Sequence, residues 1–434
     1  MAMLKHLRLE NVGPVDAEIQ FGKRMNLITG DNGLGKSFLL DIAWWSMTRK
    51  WPAEVNPKLT TGKKALPRTE GAAKIDFSFT GKSKPVKYAS HYARPDQAWT
   101  GRSGRPANPG LVLYAMADGG FAVWDPARNY WRSQGGVDNI QNRPPAYVFS
   151  PSEVWDGLPG VEGNWLCNGL IRDWASWQKE NGATFKHLRA VLDALSPSPE
   201  EKLTPGALTR ISLDDVRDMP TIPLPYGVDV PMVHASSGMR RIIALAYFLV
   251  WCWEEHQQAA KLLTEVPTKQ IVFLIDEVES HLHPKWQRRI IPALLNVVES
   301  LRWAAQVQVL AVTHSPLIMT SAEPHFDDAR DAWFDFDLVR TDGTSHPIVE
   351  LKKRPFERLG EVSRWLTSEA FDLGSARSLE SEEALQQAAE ILSGRVPDPT
   401  RAKALDTQLR KLLGDTDPFW IRWRHIGEKQ GWLP

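Results

Sequence analysis

The octapeptide Gly30-Asp31-Asn32-Gly33-Leu34-Gly35-Lys36-Ser37 constrains this chain more than any other stretch. It fits the pattern G-x-x-x-x-G-K-[ST], and its flanks are the ones that pattern requires. Arg24 to Thr29 is an apolar run that reads as a strand, while Phe38, Leu39, Ile42 and Ala43 fall at helical spacing up to about Met47. Strand, glycine-rich loop and helix together let the backbone wrap a phosphate closely, with free amides and the helix N-terminus pointing at it. The candidate nucleotide cradle is therefore Gly30, Asp31, Asn32, Gly33, Leu34, Gly35, Lys36, Ser37 and Phe38. Lys36 would reach the β- and γ-phosphates of ATP, and the Ser37 hydroxyl is a candidate Mg²⁺ ligand.

Three further stretches follow. Ile271 to Ile275 has the pattern of a buried strand and ends in Asp276-Glu277. Asp276 is a candidate Mg²⁺ ligand and Glu277 a candidate base for the attacking water; a helix N-cap at the strand end is the plainer alternative. Val309 to Val312 is a second apolar strand, ending in Thr313-His314, and His314 is a candidate sensor of the γ-phosphate. Ser236-Ser237-Gly238 opens the helix running through Ile242, Leu245 and Phe248, where hydroxyls and free amides are offered to an anion. Alone, that start is an ordinary cap.

A chain of 434 residues has room for one large α/β domain with insertions or for two to three smaller domains. With 42% hydrophobic and 24% charged residues it is neither disordered nor collagen-like. Cys167 and Cys252 cannot build a disulfide framework or a cysteine-rich zinc site, and they fit a reducing, cytoplasmic setting. The longest apolar run, Ile242 to Trp253, is too short to span a bilayer, so no membrane role is expected of this chain alone. Net charge is zero, yet residues 49–105 hold thirteen Lys/Arg against four acids, a local excess of +9. Interleaved with Trp51, Tyr88, Tyr92 and Trp99, that stretch reads either as a surface that tracks a phosphate backbone and stacks on bases, or as a solvated loop and hairpin face.

The pattern predicts four regions. Residues 1–150 carry the P-loop and, between Ala72 and Trp124, short alternating segments that predict an antiparallel β lobe. Residues 151–234 read as a Trp-rich helical insertion with a proline-rich return linker. Residues 235–330 hold the Ser-Ser-Gly helix, the Asp-Glu strand and the histidine strand, with the core closing near residue 320. Residues 331–434 form a C-terminal α+β or helical extension. The aromatic run Pro418 to Trp423, with Trp432, reads as a docking surface or as a tail folded onto its own head.

In this order, the motifs resemble the SMC/RecF-like branch of ABC-type ATPases, especially compact ATPases of bacterial DNA repair and antiphage defence such as the OLD and Septu types. Leu9-Glu10-Asn11-Val12-Gly13-Pro14 and Asn26-Leu27-Ile28-Thr29 look like the opening of those heads, and Asp276-Glu277-Val278-Glu279-Ser280-His281-Leu282-His283-Pro284 looks like their Walker B and D-loop. The resemblance implies an ABC-type P-loop ATPase head that hydrolyses ATP with Mg²⁺. It also implies a head-to-tail homodimer or higher homo-oligomer, in which Ser236, Ser237 and Gly238 of one copy serve the nucleotide of the other. A separate effector protein, a nuclease, and DNA are the implied partners. A RecF-type repair ATPase and an ATP-binding scaffold with little turnover remain as alternatives. No Q-loop glutamine stands in Tyr147 to Trp155, where Ser150 or Glu153 is the candidate substitute. Asp335-Phe336-Asp337 is the nearest Asp-x-Asp to a nuclease metal pair, and reads more simply as an edge strand.

Overall fold

The computed structural model describes residues 4–80, 86–101, 108–129, 144–160, 163–300, 305–340, 346–393 and 399–432. Two compact units make up the chain, Met1–Gly360 and Glu361–Pro434.

Continuous apolar runs give the first unit its central layer. Met25–Gly30, Gln306–Val312, Gln270–Ile275 and Leu111–Ala115 lie side by side and parallel, with Ala332–Val339 parallel on the far side of Met25–Gly30. Antiparallel strands close both flanks: Ile348–Arg354 beyond Ala332–Val339, and Phe121–Trp124 then Tyr147–Phe149 beyond Leu111–Ala115. Strands with helices or sheets on both faces read as unbroken hydrophobic stretches, which is why Leu111–Ala115 is buried at every position. A second, antiparallel sheet runs in the order Ala17–Gln20, Leu4–Glu10, Lys74–Phe79, Val86–Ala93, Ala98–Trp99.

The P-loop helix, Lys36–Thr48, lies between the two layers. Eleven of its thirteen residues are buried, so it shows no polar face. Trp44 packs towards Tyr114 of the parallel sheet, at 6.1 Å between ring centroids, while Trp45 stacks on Trp51 at 5.3 Å and meets Phe77 and Trp99 from the other. Trp51 is 3% and Trp99 8% exposed. These two rings belong to the core and have no face left for a base. The Arg49 guanidinium lies 3.9 Å over the Trp45 ring, Lys58 pairs with Glu153, Lys64 with Glu54, and Arg68 with Asp16. Glu153 and Asp16, both outside residues 49–105, thus offset part of the +9 excess, whereas Glu54 is already counted in it. Lys82, Lys84, Arg102 and Arg105 lie outside the described residues.

Two expectations need correcting. The segments between Ala72 and Trp124 do not form one antiparallel sheet: Lys74–Phe79 and Val86–Ala93 enter the lobe, but Leu111–Ala115 pairs in parallel with Gln270–Ile275 and belongs to the main sheet. Nor does the head end near 330. Ala332–Val339 pairs with Met25–Gly30, so Asp335-Phe336-Asp337 sits on an interior strand, and the extension begins at Glu361.

Residues 151–234 hold the helices Pro151–Asp156, Leu170–Glu180 and Ala183–Ala194, followed by a short hairpin of Thr221–Pro223 with Asp229–Pro231. Their tie to the long helix Ser237–Leu262 is polar and buried: Tyr247 donates to Asp173 Oδ2 at 2.8 Å and lies 3.1 Å from Cys167 Sγ. Burial pushes the Cys167 thiol up to about 12, which makes it inert.

In the second unit, helices Leu379–Ser393, Pro399–Leu412 and Phe419–Gln430 enclose Ala384, Ala388, Leu405, Leu409, Trp420, Trp423 and Trp432. Trp423 is fully buried and donates from Nε1 to Asp406 at 3.0 Å. The tryptophans of the aromatic run are buried in this unit's own core, so they are not a docking surface. Among the described residues no helix is long and apolar enough to cross a membrane.

Candidate functional site

Parallel pairing makes the three key strands end together. Val312 is opposite Ile28, and Ile275 is opposite Ala311, so the chain leaving each strand emerges at one edge of the sheet. There the loop after Gly30, the Asp276-Glu277 pair and Thr313-His314 stand next to one another, the usual place for a ligand in an open α/β sheet.

Close backbone approach explains the first glycine of the loop. Gly30 has φ +128°, and a Cβ on it would lie 2.3 Å from the Phe336 carbonyl oxygen, because Phe336 is its partner in the neighbouring strand. The loop then enters the helix through Gly35 at φ +103°, leaving the amides of the first turn without helical partners. The Phe38 ring fills the space over Gly13, so that residue offers the cradle its backbone alone. Lys36 Nζ donates to the Gly30 and Asp31 carbonyls at 2.8 and 2.6 Å, and burial holds its ammonium at about 8. Asp31, Asn32 and Gly33 are exposed.

Beside Lys36 lies the acidic pair. Asp276 is 1% exposed, and burial raises its carboxyl to about 6, with Glu277 adding to the shift and Ser37 and Arg241 opposing it. The Ser37 hydroxyl lies against this carboxylate, while Asp276 Oδ1 is buried with no hydrogen-bond partner. A hydroxyl beside a buried carboxylate with an oxygen to spare is a donor set that fits Mg²⁺. Glu277 is partly exposed at φ +44°. The His314 imidazole lies near the Gly30 carbonyl, and burial followed by the nearby Lys36 charge lowers its pKa, favouring the neutral ring.

Ser236 caps the helix Ser237–Leu262, its side chain accepting from the Met239 amide at 3.3 Å. Ser236 and Ser237 are exposed, whereas Gly238 is buried, with space for a Cβ only 2.5 Å from the His281 carbonyl oxygen. One turn on, Arg241 donates to the Met116 carbonyl at 2.8 Å and to the Asp276 carbonyl at 3.2 Å.

Neither candidate for the missing glutamine reaches the acidic pair. Glu153 Oε2 accepts from Asn56 Nδ2 at 2.6 Å, from the Ser150 amide at 2.9 Å and from the Ser150 hydroxyl at 2.8 Å, so both residues are used in capping Pro151–Asp156. The loop that abuts Asp276 is instead the one after Leu111–Ala115, since the Asp276 amide donates to the Ala115 carbonyl at 2.9 Å and Asp118 lies within electrostatic reach of the site's arginine. Asp118 and Arg241 were not singled out from the sequence, because the loop's place follows from a parallel pairing that no local pattern discloses. Asp335 accepts from Thr29 at 2.7 Å and faces Arg354 at 3.4 Å, with Asp337 3.7 Å from the same guanidinium; this is an internal ion pair. Among the described residues no group of acidic, histidine or cysteine side chains has the make-up of a metal cluster, and His281 and His283 are exposed.

The chain is similar to several known proteins. Septu protein PtuA of Bacillus thuringiensis is 20% identical over 335 residues, covering 74% of each chain. Retron Vc95 probable ATPase of Vibrio cholerae serotype O1 biovar El Tor is 42% identical over 101 residues, 22% of this chain and 17% of that protein. The match therefore spans under a fifth of that relative's length. Among solved structures, the SMC head domain from Thermotoga maritima shares 16% identity at a TM-score of 0.40, covering 82% of this chain and 100% of that one. A family model described as "AAA domain, putative AbiEii toxin, Type IV TA system" matches residues 25–320, a span that holds the P-loop, the serine-capped helix, both strand-end carboxylates and His314. The chain belongs to that AAA-domain family.

Proposed function

We propose that the chain binds and hydrolyses ATP between two copies of itself, and that the resulting change in dimer geometry governs a partner effector, a nuclease, in a DNA-directed antiphage complex. The observation that carries the catalytic part is the meeting of Lys36, Ser37, Asp276, Glu277 and His314 at one sheet edge, with Asp276 Oδ1 buried and unpartnered.

The chemistry follows from charge. Lys36 exchanges its two carbonyl acceptors for phosphate oxygens, a stronger, charge-assisted pairing. Ser37 and Asp276 would hold Mg²⁺, which supplies neutralisation of the phosphate charge. Glu277 takes a proton from the attacking water as that oxygen bonds the γ-phosphorus and the bridge to ADP breaks. His314, beside the Gly30 carbonyl, is placed to donate to the γ-phosphate.

One feature supports the dimer: Ser236 and Ser237 are exposed at the start of a long helix, where the Ser236 oxygen caps the Met239 amide and the Ser237 hydroxyl and first amides are offered to an anion. A second copy turned head to tail would bring them to the other's γ-phosphate, so ATP would close the interface and hydrolysis would open it. The likeness to a Septu protein agrees with the antiphage setting. Exposed Lys50, Lys63 and Lys87 remain available to a phosphate backbone.

Phosphate release and sedimentation test this reading. Lys36→Ala and Glu277→Gln should abolish turnover, and Glu277→Gln with ATP should sediment at twice the protomer mass. Turnover by Glu277→Gln at the wild-type rate would refute the base, and a mass indifferent to ATP would refute the nucleotide-closed dimer.

A further inference from the structure

Glu279 stands three residues past Asp276, within electrostatic reach of Lys36 and Arg241. Both its oxygens are engaged inside the protein: Oε2 accepts the Thr313 hydroxyl at 2.7 Å, and Oε1 accepts the His314 backbone N–H at 2.5 Å. The Thr313 oxygen in turn accepts from the Ser315 amide at 3.0 Å, the Ser315 hydroxyl donates to Gln287 Oε1 at 2.7 Å, and Gln287 Nε2 donates to the Leu282 carbonyl at 2.9 Å. Leu282 closes the ring, its amide donating to the Glu279 carbonyl at 2.8 Å. One backbone bond, Val278 amide to Val312 carbonyl at 3.1 Å, runs alongside.

Beyond the pairing of their strands and the Val278–Val312 bond, this ring ties together the side chains of the loop after Gln270–Ile275 and the loop after Gln306–Val312. Its one ionisable member grips the peptide N–H of the residue whose imidazole meets the P-loop carbonyl. Carboxylate hydrogen bonds are about twice as strong as neutral ones, and a carboxylate accepts at both oxygens where an amide accepts at one. Nothing smaller or neutral spans the same two donors.

Resting on the ATPase reading above, we propose that Glu279 is a positioning residue for His314: it clamps the His314 peptide to the D-loop and so fixes the imidazole over the P-loop. It touches neither nucleotide nor water. Its removal lets His314 wander while leaving the cradle of Gly30 to Ser37 intact, so the effect falls on the rate and spares ATP affinity.

The experiment is steady-state ATP hydrolysis by the full chain carrying Glu279→Gln, His314→Ala or both, with Lys36→Ala as the control for the site itself. Loss of one of the two clamps predicts a kcat reduced about tenfold in Glu279→Gln, with KM for ATP within about twofold of wild type. In the His314→Ala background the same change should cost nothing further, since there is no imidazole left to place. Thr313→Val, which removes the other donor, should lower kcat in the same direction, and Thr313→Ser should restore it; this pair decides the matter should Glu279→Gln fold poorly. Equal fractional losses in both backgrounds, or a loss confined to KM, would overturn the proposal while the ATPase reading stood. Wild-type turnover by Lys36→Ala would remove that reading and this one together.

Discussion

Asp41 gives the fold a pH dependence whose sign and size follow from its surroundings. It lies on the P-loop helix, 8% exposed, and Tyr114 Oη donates to its Oδ1 at 2.9 Å. Burial raises its carboxyl from 3.8 to about 8, a shift only partly opposed by the Tyr114 bond. The folded protein therefore keeps Asp41 protonated at pH 7, whereas the unfolded chain ionises it. Because the folded pKa lies above the unfolded one for an acid, the stability of this group is complete below pH 3.8 and is lost as pH rises towards about 8. Each pH unit inside that window costs about 1.4 kcal/mol, so the loss accumulated by pH 7 is about 4 kcal/mol. Asp41→Asn cannot ionise and still offers Oδ1 to Tyr114. Any packing offset it introduces does not vary with pH, so the difference in slope is the readout. Urea unfolding followed by tryptophan fluorescence at pH 5, 6 and 7, without nucleotide, should show wild-type stability falling faster than that of the variant by about 1.4 kcal/mol per unit. Parallel curves would refute the claim that Asp41 is held protonated by burial.

Gly238→Ala places a methyl group 2.5 Å from the backbone oxygen of His281, and backbone cannot swing aside as a side chain does; it should cost about 1–3 kcal/mol in thermal unfolding and lower ATP turnover. Trp423→Ala empties the centre of the C-terminal unit and breaks the bond to Asp406, a loss of about 3–5 kcal/mol. Limited proteolysis should then digest the region after Gly360 while the head resists. At Glu277, φ +44° penalises every residue with a Cβ, so Glu277→Gly should be more stable than Glu277→Ala by about 1 kcal/mol in chemical denaturation, though both should lack turnover.

The chemistry of the site was legible because its chemical residues and their positions share one short stretch of chain. Gly30 to Ser37 carries both its loop geometry and its ligands, and Ile271 to Glu277 announces a buried strand and the carboxylates at its end in seven letters. What needed the fold was pairing. Leu111–Ala115 could not be assigned to the parallel sheet from its own pattern, and the loop it carries to Asp276 was missed with it. Aromatic residues misled for a related reason. A tryptophan beside a lysine reads as a nucleic-acid platform, yet Trp51 and Trp99 fill the gap between two sheets, and Trp420, Trp423 and Trp432 supply a core to a unit too small to build one from aliphatic residues alone. Glu279 was in plain view inside a quoted motif, but its partners lie more than thirty residues downstream.

Two of the non-glycine residues with positive φ stand where this chemistry is placed. Glu277 and His281, neither of them glycine, both hold left-handed conformations, at φ +44° and +62°, with Glu279 midway between them. Each such residue costs about 1–2 kcal/mol, so the D-loop does not keep this shape by local preference. It is held by long-range contacts: the Val278 amide on Val312, the Glu279 carboxylate on Thr313 and His314, and buried Leu282. Together these outweigh the strain, since each bond to the carboxylate contributes about 1.5–3 kcal/mol. The kinked path separates two acids that lie only two residues apart. In an extended strand, side chains at that spacing would share one face; here Glu277 is left at the nucleotide edge while Glu279 is turned inward against the histidine strand. One carboxylate is thereby kept for the water and the other for the scaffold, and that division of labour is what the strain sustains.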